Sequence, residues 1–113
     1  MKRIAIILSV LTSAIMHSQE IKVMTYNIRL DVASDGENRW DNRKEMLAGQ
    51  VLFYEPDFMG VQEALHHQME YLATALPAYD YIGVARDDGN QQGEYSAIFY
   101  NNHKFKVLQQ STF

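Results

Sequence analysis

Cysteine is absent from the 113-residue sequence, and its absence removes several kinds of chemistry. A chain without thiols forms no disulfides, so its stability must come from the burial of apolar side chains. Thiolate zinc sites and cysteine nucleophiles are excluded for the same reason. Long apolar runs are also missing, because the apolar stretch at residues 4–16 is shorter than the ~20 residues of a membrane-spanning helix.

That short apolar stretch has the surroundings of an export signal. It follows Lys2 and Arg3 and ends before a polar segment at residues 18–20. A basic start, a short apolar segment and a polar end are typical of a secretory signal peptide. We therefore predict a signal peptide over residues 1–18, a mature part over residues 19–113, and a secreted or periplasmic protein with no stable membrane span. An uncleaved anchor and a buried strand are the alternatives, and the cleavage site stays open.

Basic side chains are few in the predicted mature part. The whole chain carries a net charge of −4, with 10 basic and 14 acidic residues. Lys2 and Arg3 belong to the predicted signal, so residues 19–113 keep 8 basic against 14 acidic side chains, a net charge of −6. Proteins that hold DNA through charge have a broad basic face. The balance therefore disfavours bulk binding of nucleic acid and leaves local or metal-assisted binding open.

Apolar patterning predicts one small domain in which strands and helices alternate. The predicted strands cover residues 21–28, 58–61, 79–85, 94–100 and 105–109. The first is apolar and β-branched enough to be buried on both faces, and the last two resemble an antiparallel hairpin. A long polar loop is predicted at residues 29–40, and its acidic side chains, Asp31, Asp35 and Glu37, are expected to be solvated.

Two amphipathic helices are predicted between the strands. The first is capped by Asp41 or Asn42 and ends before Pro56, and the second ends before Pro77. The expected core stripe of the first helix is Met46, Leu47, Val51 and Tyr54. The stripe of the second is Leu65, Met69, Leu72, Ala73 and Leu76.

Asn27 and Glu63 end the first two predicted strands. A strand, a crossover helix and a second strand usually lie parallel and adjacent, so both residues are expected at the carboxyl edge of the sheet, where open α/β sheets bind ligands. An amide and a carboxylate at this edge suit a hard cation and a phosphate oxygen. Glu63 is the stronger signal, because a carboxylate directly after a buried strand is unfavourable unless it is paired or binds metal. The alternatives are a strand-end turn for Asn27 and a helix-start glutamate for Glu63.

Several short motifs occur in a specific order along the chain. They are Thr25-Tyr26-Asn27-Ile28-Arg29, Trp40-x-x-Arg43, Pro56-Asp57-Phe58-Met59-Gly60-Val61-Gln62-Glu63 and Gly93-Glu94-Tyr95-Ser96-Ala97-Ile98-Phe99-Tyr100. Together they resemble the amino-terminal part of the endonuclease/exonuclease/phosphatase superfamily, which includes DNase I and the bacterial sphingomyelinases. With its predicted signal peptide, the chain resembles the secreted bacterial members. The resemblance implies an α/β (α+β) fold, a four-layer DNase I-like sandwich of two mixed sheets flanked by helices, of which only the amino-terminal part is present.

The resemblance also implies hydrolysis of phosphate esters with Mg²⁺ or Mn²⁺. Glu63 matches the family's metal-binding glutamate, and Asn27 matches the catalytic asparagine that orients metal and phosphate. Glu94 matches a further catalytic acid, which supports a catalytic histidine in DNase I-like members. Arg86 matches loosely and is expected to bind substrate phosphate. The substrate stays open between nucleic acid, phospholipid and sugar phosphate, and no protein partner is indicated.

The motifs that complete the family's site do not occur in this sequence. They are a later histidine, a Gly-Asp-x-Asn segment and a Ser-Asp-His segment, and His66, His67 and His103 are poor substitutes. Hydrolysis needs a general base to take a proton from water. We therefore expect the 113-residue chain itself to be inactive or nearly so. The alternatives are a small exported, non-catalytic binding module and a parent protein that acts on lipid- or sugar-linked phosphate.

Overall fold

A computed structural model describes residues 18–112 of the chain. The predicted signal peptide therefore lies outside the described residues, apart from Ser18. The elements in order are β1 (Val23–Asn27), a 3₁₀ helix (Ala33–Asn38), α1 (Trp40–Tyr54), β2 (Phe58–Ala64), α2 (His66–Ala75), β3 (Tyr79–Ile82) and β4 (Tyr95–Asn101). Within this part of the chain, no helix is both long and apolar enough to cross a membrane.

The four strands form one mixed sheet in the order β1-β2-β4-β3. β1 is parallel to β2, with Asn27 beside Gln62, which confirms the predicted parallel pair. β4 is antiparallel to both β2 and β3. The predicted hairpin is wrong, because β4 pairs with the preceding strands β2 and β3, and residues 105–112 form no strand.

Both helices pack on one face of the sheet. Met59 is paired with Phe99 across β2 and β4, Val61 is paired with Ala97, and all four side chains are buried on that face. The two helices add Trp40, Leu47, Val51, Met69 and Leu72 to the same core, and Leu76, directly after α2, joins them. The opposite face is partly exposed, and Phe105 packs there against Phe58 with ring centroids 4.5 Å apart.

Because the helices cover only one face of the sheet, several predictions of burial are wrong. β1 is an edge strand, and Val23 is 74% exposed, so the strand is not buried on both faces. Met46 and Tyr54 are exposed because α1 turns Trp40 and Ala48 toward the sheet instead. In α2, Ala73 likewise points away from the core.

Local polar contacts correct two further predictions. α1 begins at Trp40, directly after Arg39, so neither Asp41 nor Asn42 is its cap. In the predicted loop, which contains the 3₁₀ helix, Asp35 is not simply solvated, because Arg29 donates to both of its carboxylate oxygens, at 2.8 and 3.0 Å. That guanidinium also holds the pKa of Asp35 below its ordinary value.

Asp57 closes the amino edge of the sheet. Its side chain is buried and accepts hydrogen bonds from the Lys22 backbone N–H and the Lys104 ammonium, both at 2.9 Å. Its backbone N–H donates to Lys22 O at 2.8 Å, and Asn101 N–H donates to its carbonyl at 2.9 Å. The Lys104 ammonium, followed by the Lys22 N–H, holds the pKa of Asp57 below its ordinary value. One aspartate thus joins the starts of β1 and β2 to the end of β4.

Candidate active site

A β-bulge in β2 determines the direction in which Glu63 points. The pairing of β2 with β4 joins Val61 to Ala97 and resumes at Ala64 opposite Tyr95, so that Gln62 and Glu63 share the single residue Ser96. Bulges of this kind redirect side chains and are frequent next to active sites. Glu63 therefore lies inside β2, at the bulge, and not directly after the strand as predicted.

The extra residue changes the face of the sheet toward which the following side chains point. In a regular strand Glu63 would lie on the core face with Val61, and Ala64 would point outward. With the bulge, Ala64 is fully buried and Glu63 lines a cleft. Glu63 has φ of +61°, a left-handed conformation that is unfavourable by about 1–2 kcal/mol for an L-residue. Backbone strain of this kind concentrates at functional sites.

Asn27, at the end of β1, holds the Glu63 carboxylate. Asn27 Nδ2 donates to Glu63 Oε1 at 2.8 Å, and the Arg29 backbone N–H donates to Asn27 Oδ1 at 3.0 Å. Because a backbone N–H only donates, it fixes which end of the amide is oxygen, and the nitrogen must face Glu63. The predicted meeting of the two side chains is confirmed. The geometry favours the orienting role for Asn27, and direct metal ligation by its oxygen stays a prediction.

The cleft beside this pair has a volume of about 910 Å³ and brings the predicted site residues together. Asn27 and Glu63 line one side, and Arg86 and Glu94 line it from the loop before β4. Arg86 Nη1 donates to Glu94 Oε2 at 3.0 Å, and Arg86 Nε donates to Asp87 Oδ1 at 3.1 Å. Asp87 first, and then Glu94, raise the pKa of Arg86, so the guanidinium stays charged.

Histidine does not reach this cleft in the part of the chain that the structure describes. His66 lies behind its wall, with Nδ1 3.1 Å from the Tyr95 hydroxyl and Nε2 3.5 Å from Glu70 Oε1. His67 Nε2 lies 2.9 Å from Asp31 Oδ2, so Asp31 is paired and not solvated as predicted. Glu94 therefore has an arginine partner here, and the histidine partner that the resemblance implies is not among residues 18–112.

Two side chains for which the sequence predicted no role form hydrogen bonds to the backbone segments next to the site. Gln68 is fully buried and forms hydrogen bonds to the segments that follow β1 and β2. Arg43 donates to the carbonyls of Ile28, Arg29 and Asn38. Each had a signal in the sequence: Gln68 is a polar residue on the apolar face of its helix, and Arg43 belongs to the Trp40-x-x-Arg43 motif.

The donor set fits a hydrated divalent cation. Among residues 18–112, no group of three or more histidine, aspartate or glutamate side chains is placed to enclose a metal ion. The cleft offers the Glu63 carboxylate, held by Asn27, and space for water. Mg²⁺ typically binds one or two carboxylates and keeps several water ligands. Glu63 is therefore the residue that would hold Mg²⁺ or Mn²⁺.

Known proteins resemble this chain in sequence and structure. The solved structure of an endonuclease/exonuclease/phosphatase from Bacteroides vulgatus is 41% identical and has a TM-score of 0.79, covering 81% of this chain and 35% of that one. A mannosyl-6-phosphatase from Bacteroides thetaiotaomicron is 40% identical with a TM-score of 0.78, again covering 81% of this chain and 35% of that one. No family model matches the chain.

A curated relative is also similar to this chain in sequence. The 3'-5'-exoribonuclease subunit Ccr4 of the CCR4-Not complex of Mycosarcoma maydis is 28% identical over 110 residues, which cover 80% of this chain and 16% of that protein. The chain thus spans about a third of the length of the two solved structures and a smaller share of this relative.

Proposed function

Because the chain belongs to the endonuclease/exonuclease/phosphatase superfamily, we propose that its cleft is part of a metal-dependent site for the hydrolysis of phosphate esters. The relatives are phosphoesterases and nucleases of this superfamily. One observation carries the proposal: a bulge directs Glu63 into the cleft, where Asn27 holds its carboxylate at 2.8 Å. A strained, outward-facing carboxylate is expected where a cation binds and has no evident use in packing.

The net charge of the cleft supports the proposal that a cation binds there. Glu63 and Glu94 are acidic, and Arg86 is the basic residue that lines the cleft among residues 18–112. An anionic phosphate would meet net negative charge in the absence of a metal ion. When bound, a divalent cation neutralises charge that develops on phosphate oxygens and helps to make a nucleophile from water. Glu63 would hold that cation, and Asn27 would keep the carboxylate in place.

Arg86 is the side chain of this cleft that would bind phosphate oxygens. Its guanidinium is charged and lies at the cleft, but Asp87 and Glu94 already occupy part of its donor fork. A phosphate would therefore share Arg86 with these carboxylates and bind weakly through this residue alone. No histidine among residues 18–112 lines the cleft to take a proton from water, so we expect the 113-residue chain to bind metal and phosphate with turnover near background.

A sugar phosphate is the substrate class that the observations favour. The mannosyl-6-phosphatase is 40% identical over most of this chain. A nucleic acid site usually neutralises several phosphates with basic side chains, whereas Arg86 is the basic residue lining the described cleft. We therefore propose a phosphate monoester of a sugar as substrate, with nucleic acid as the competing class.

Manganese binding tests the metal site. We expect Mn²⁺ to broaden the amide NMR signals of Asn27 and Glu63 first in the isotope-labelled chain, because the paramagnetic ion relaxes nearby nuclei. Glu63→Gln should abolish this effect. Glu55→Gln is the matched control, because Glu55 is also a left-handed glutamate but lies at the opposite edge of the sheet. Equal broadening in wild type and Glu63→Gln would refute the proposed metal site.

Ligand competition tests the substrate class separately. With Mg²⁺ present, mannose 6-phosphate is expected to shift the amide signals of Arg86 and Glu94, and without Mg²⁺ the shifts should largely disappear. A short single-stranded oligonucleotide should compete weakly. Tighter binding of the oligonucleotide, with a steep dependence on salt, would overturn the sugar phosphate assignment while leaving the metal site intact.

A further inference from the structure

We propose that Gln68 is a positioning residue for Glu63, because with Arg43 it clamps the backbone of Arg29, whose N–H orients the amide of Asn27. The inference rests on the proposed metal-binding role of Glu63. It extends the site to two helical side chains that do not line the cleft.

Gln68 connects the two chain segments that leave the site. Its Oε1 accepts the backbone N–H of Leu65 at 3.0 Å and that of Asp31 at 3.2 Å. Its Nε2 donates to the carbonyl of Arg29 at 3.0 Å. Leu65 follows Glu63 by two positions, so one side-chain amide joins the segments beyond both strands.

Arg43 holds the same carbonyl from the other helix. Its Nη2 donates to Arg29 O at 2.7 Å, its Nε donates to Asn38 O at 2.9 Å, and its Nη1 donates to Ile28 O. The planar guanidinium presents several donors in fixed directions, so it fixes the positions of these carbonyls relative to one another.

The backbone of Arg29 has an unfavourable conformation. Arg29 has φ of +60°, a region that residues with a side chain seldom adopt. Two donors, from Arg43 and Gln68, converge on its carbonyl and stabilise the conformation. Without them, the peptide is free to rotate toward more favourable angles.

The Ile28–Arg29 peptide determines how Asn27 meets Glu63, because it carries the Arg29 N–H, and Arg43 Nη1 donates to its carbonyl. The Arg29 N–H donates to Asn27 Oδ1, and Asn27 Nδ2 donates to Glu63 Oε1. If the Arg29 N–H turned away, Asn27 Oδ1 would lose its donor, and the amide would rotate more freely beside Glu63. The clamp therefore holds the amide in the orientation that attracts Glu63, as second-layer hydrogen bonds do for metal ligands elsewhere.

The alternative is that Gln68 forms these hydrogen bonds only because its amide is buried and needs partners. Its location favours the positioning role. It lies on the buried face of α2, between the core and the loops, and beside the apolar Met69. Two of its three hydrogen-bond partners, Arg29 O and Asp31 N–H, belong to the segment that follows β1, and the third, Leu65 N–H, lies at the start of its own helix. An apolar side chain at this position would remove the partner of the Asp31 and Leu65 N–H groups and leave Arg29 O with Arg43 alone.

The amide of Asn27 provides a readout that needs no metal. In wild type we expect its side-chain NH₂ signals to be well separated and slow to exchange, because Nδ2 is bonded to Glu63. Gln68→Met should move them to the positions of a free amide. Leu72→Val is the matched control: Leu72 is buried on the same helix and contributes packing alone, so the Asn27 signals should stay as in wild type. Spectra are recorded where thermal melts show each variant folded.

Metal affinity is the second readout. We expect Gln68→Met to weaken Mn²⁺ binding by about 10-fold, the lower end of typical second-layer effects, with Leu72→Val unchanged. Arg43→Lys keeps the charge but removes the planar set of guanidinium donors, and it should also weaken Mn²⁺ binding. Arg39→Lys, which alters an exposed ion pair with Asp41, should have no effect.

The outcomes separate this inference from the proposed function. Wild-type Asn27 signals and wild-type Mn²⁺ affinity in Gln68→Met would overturn the positioning role. If Gln68→Met does not fold, Arg43→Lys decides, and an unchanged Asn27 signal would overturn the role. If wild type binds no Mn²⁺ at Glu63, the proposed metal site fails, and the Asn27 signals still test the clamp.

Discussion

β2 has a carboxylate near each end, and the two are held in opposite ways. Asp57, before the strand, is 3% exposed and binds the Lys22 N–H and the Lys104 ammonium. Glu63, near the other end, is partly exposed, has left-handed backbone and accepts from Asn27. The first carboxylate has all its observed partners within the protein and connects strands. The second is strained and open toward a cleft, which is the condition of a group that binds a ligand.

A second glutamate shows that left-handed backbone alone does not mark a site. Glu55 has φ of +47° but directly follows α1, and its N–H donates to Val51 O at 2.9 Å. Left-handed residues commonly end helices in this way. Glu63 ends no helix and interrupts a strand, so its strain has no comparable local explanation. The three acidic residues together permit tests in which fold and function respond differently.

The largest effect on stability is expected from Asp57→Ala. The substitution removes the acceptor for the Lys22 N–H and leaves the Lys104 ammonium without its partner. For a domain of this size we expect the midpoint of thermal unfolding to fall by roughly 10 °C. The exposed Asp80 on β3 is the control, and Asp80→Ala should change little. Equal changes in the two variants would contradict a structural role for Asp57.

Glu63→Gly should have a smaller effect of the opposite sign. Relief of the left-handed strain is expected to stabilise the fold by about 1 kcal/mol, or roughly 4–8 °C in melting temperature. The same change should remove Mn²⁺ binding. Glu55→Gly should give a similar stabilisation and keep Mn²⁺ binding. Destabilisation by Glu63→Gly would show that the bulge is not strained, and retained Mn²⁺ binding would remove Glu63 from the metal site.

The dependence of stability on pH gives a smaller difference. The pKa of Asp57 is lowered in the folded state, chiefly by Lys104. Its contribution is therefore present above the unfolded-state pKa of ~3.9 and is lost as the pH falls through the lower folded-state value. Thermal melts of wild type should fall more steeply below about pH 4 than those of Asp57→Asn. Parallel curves would contradict this assignment.

Arg86→Ala should have the smallest effect on stability. Its side chain is 68% exposed and its ion pairs are open to solvent, so the melting temperature should stay within about 3 °C of wild type. Binding of mannose 6-phosphate in the presence of Mg²⁺ should weaken, while Mn²⁺ affinity stays unchanged. Weakened Mn²⁺ binding would mean that Arg86 supports the metal site instead.

The meeting of Asn27 and Glu63 was predictable because parallel strands around a crossover helix place their carboxyl ends together. The bulge also had a signal: the consecutive polar residues Gln62 and Glu63 interrupt an apolar run that resumes at Ala64. Gln68 was missed because a helical stripe is recognised by its apolar members. The role of Gln68 is visible only in the structure, because its amide contacts backbone groups of two segments that lie more than thirty residues apart in the sequence.

Other errors come from tertiary pairing. The apolar residues of β1 do not reveal that the strand lies at an edge with one open face. The turn residues Asn101 and Asn102 suggested a local hairpin, yet β4 pairs with strands from earlier in the chain. Propensity describes what a segment can form, and long-range partners decide which pairing forms.

The two carboxylates of β2 also provide the most direct test of the central claim. A Mg²⁺ titration followed through side-chain carboxyl carbon signals observes both in one experiment. We expect the Glu63 signal to shift and saturate while the Asp57 signal stays constant. A constant Glu63 signal, with shifts at Asp57 or at the acidic Asp87 and Asp88, would contradict it.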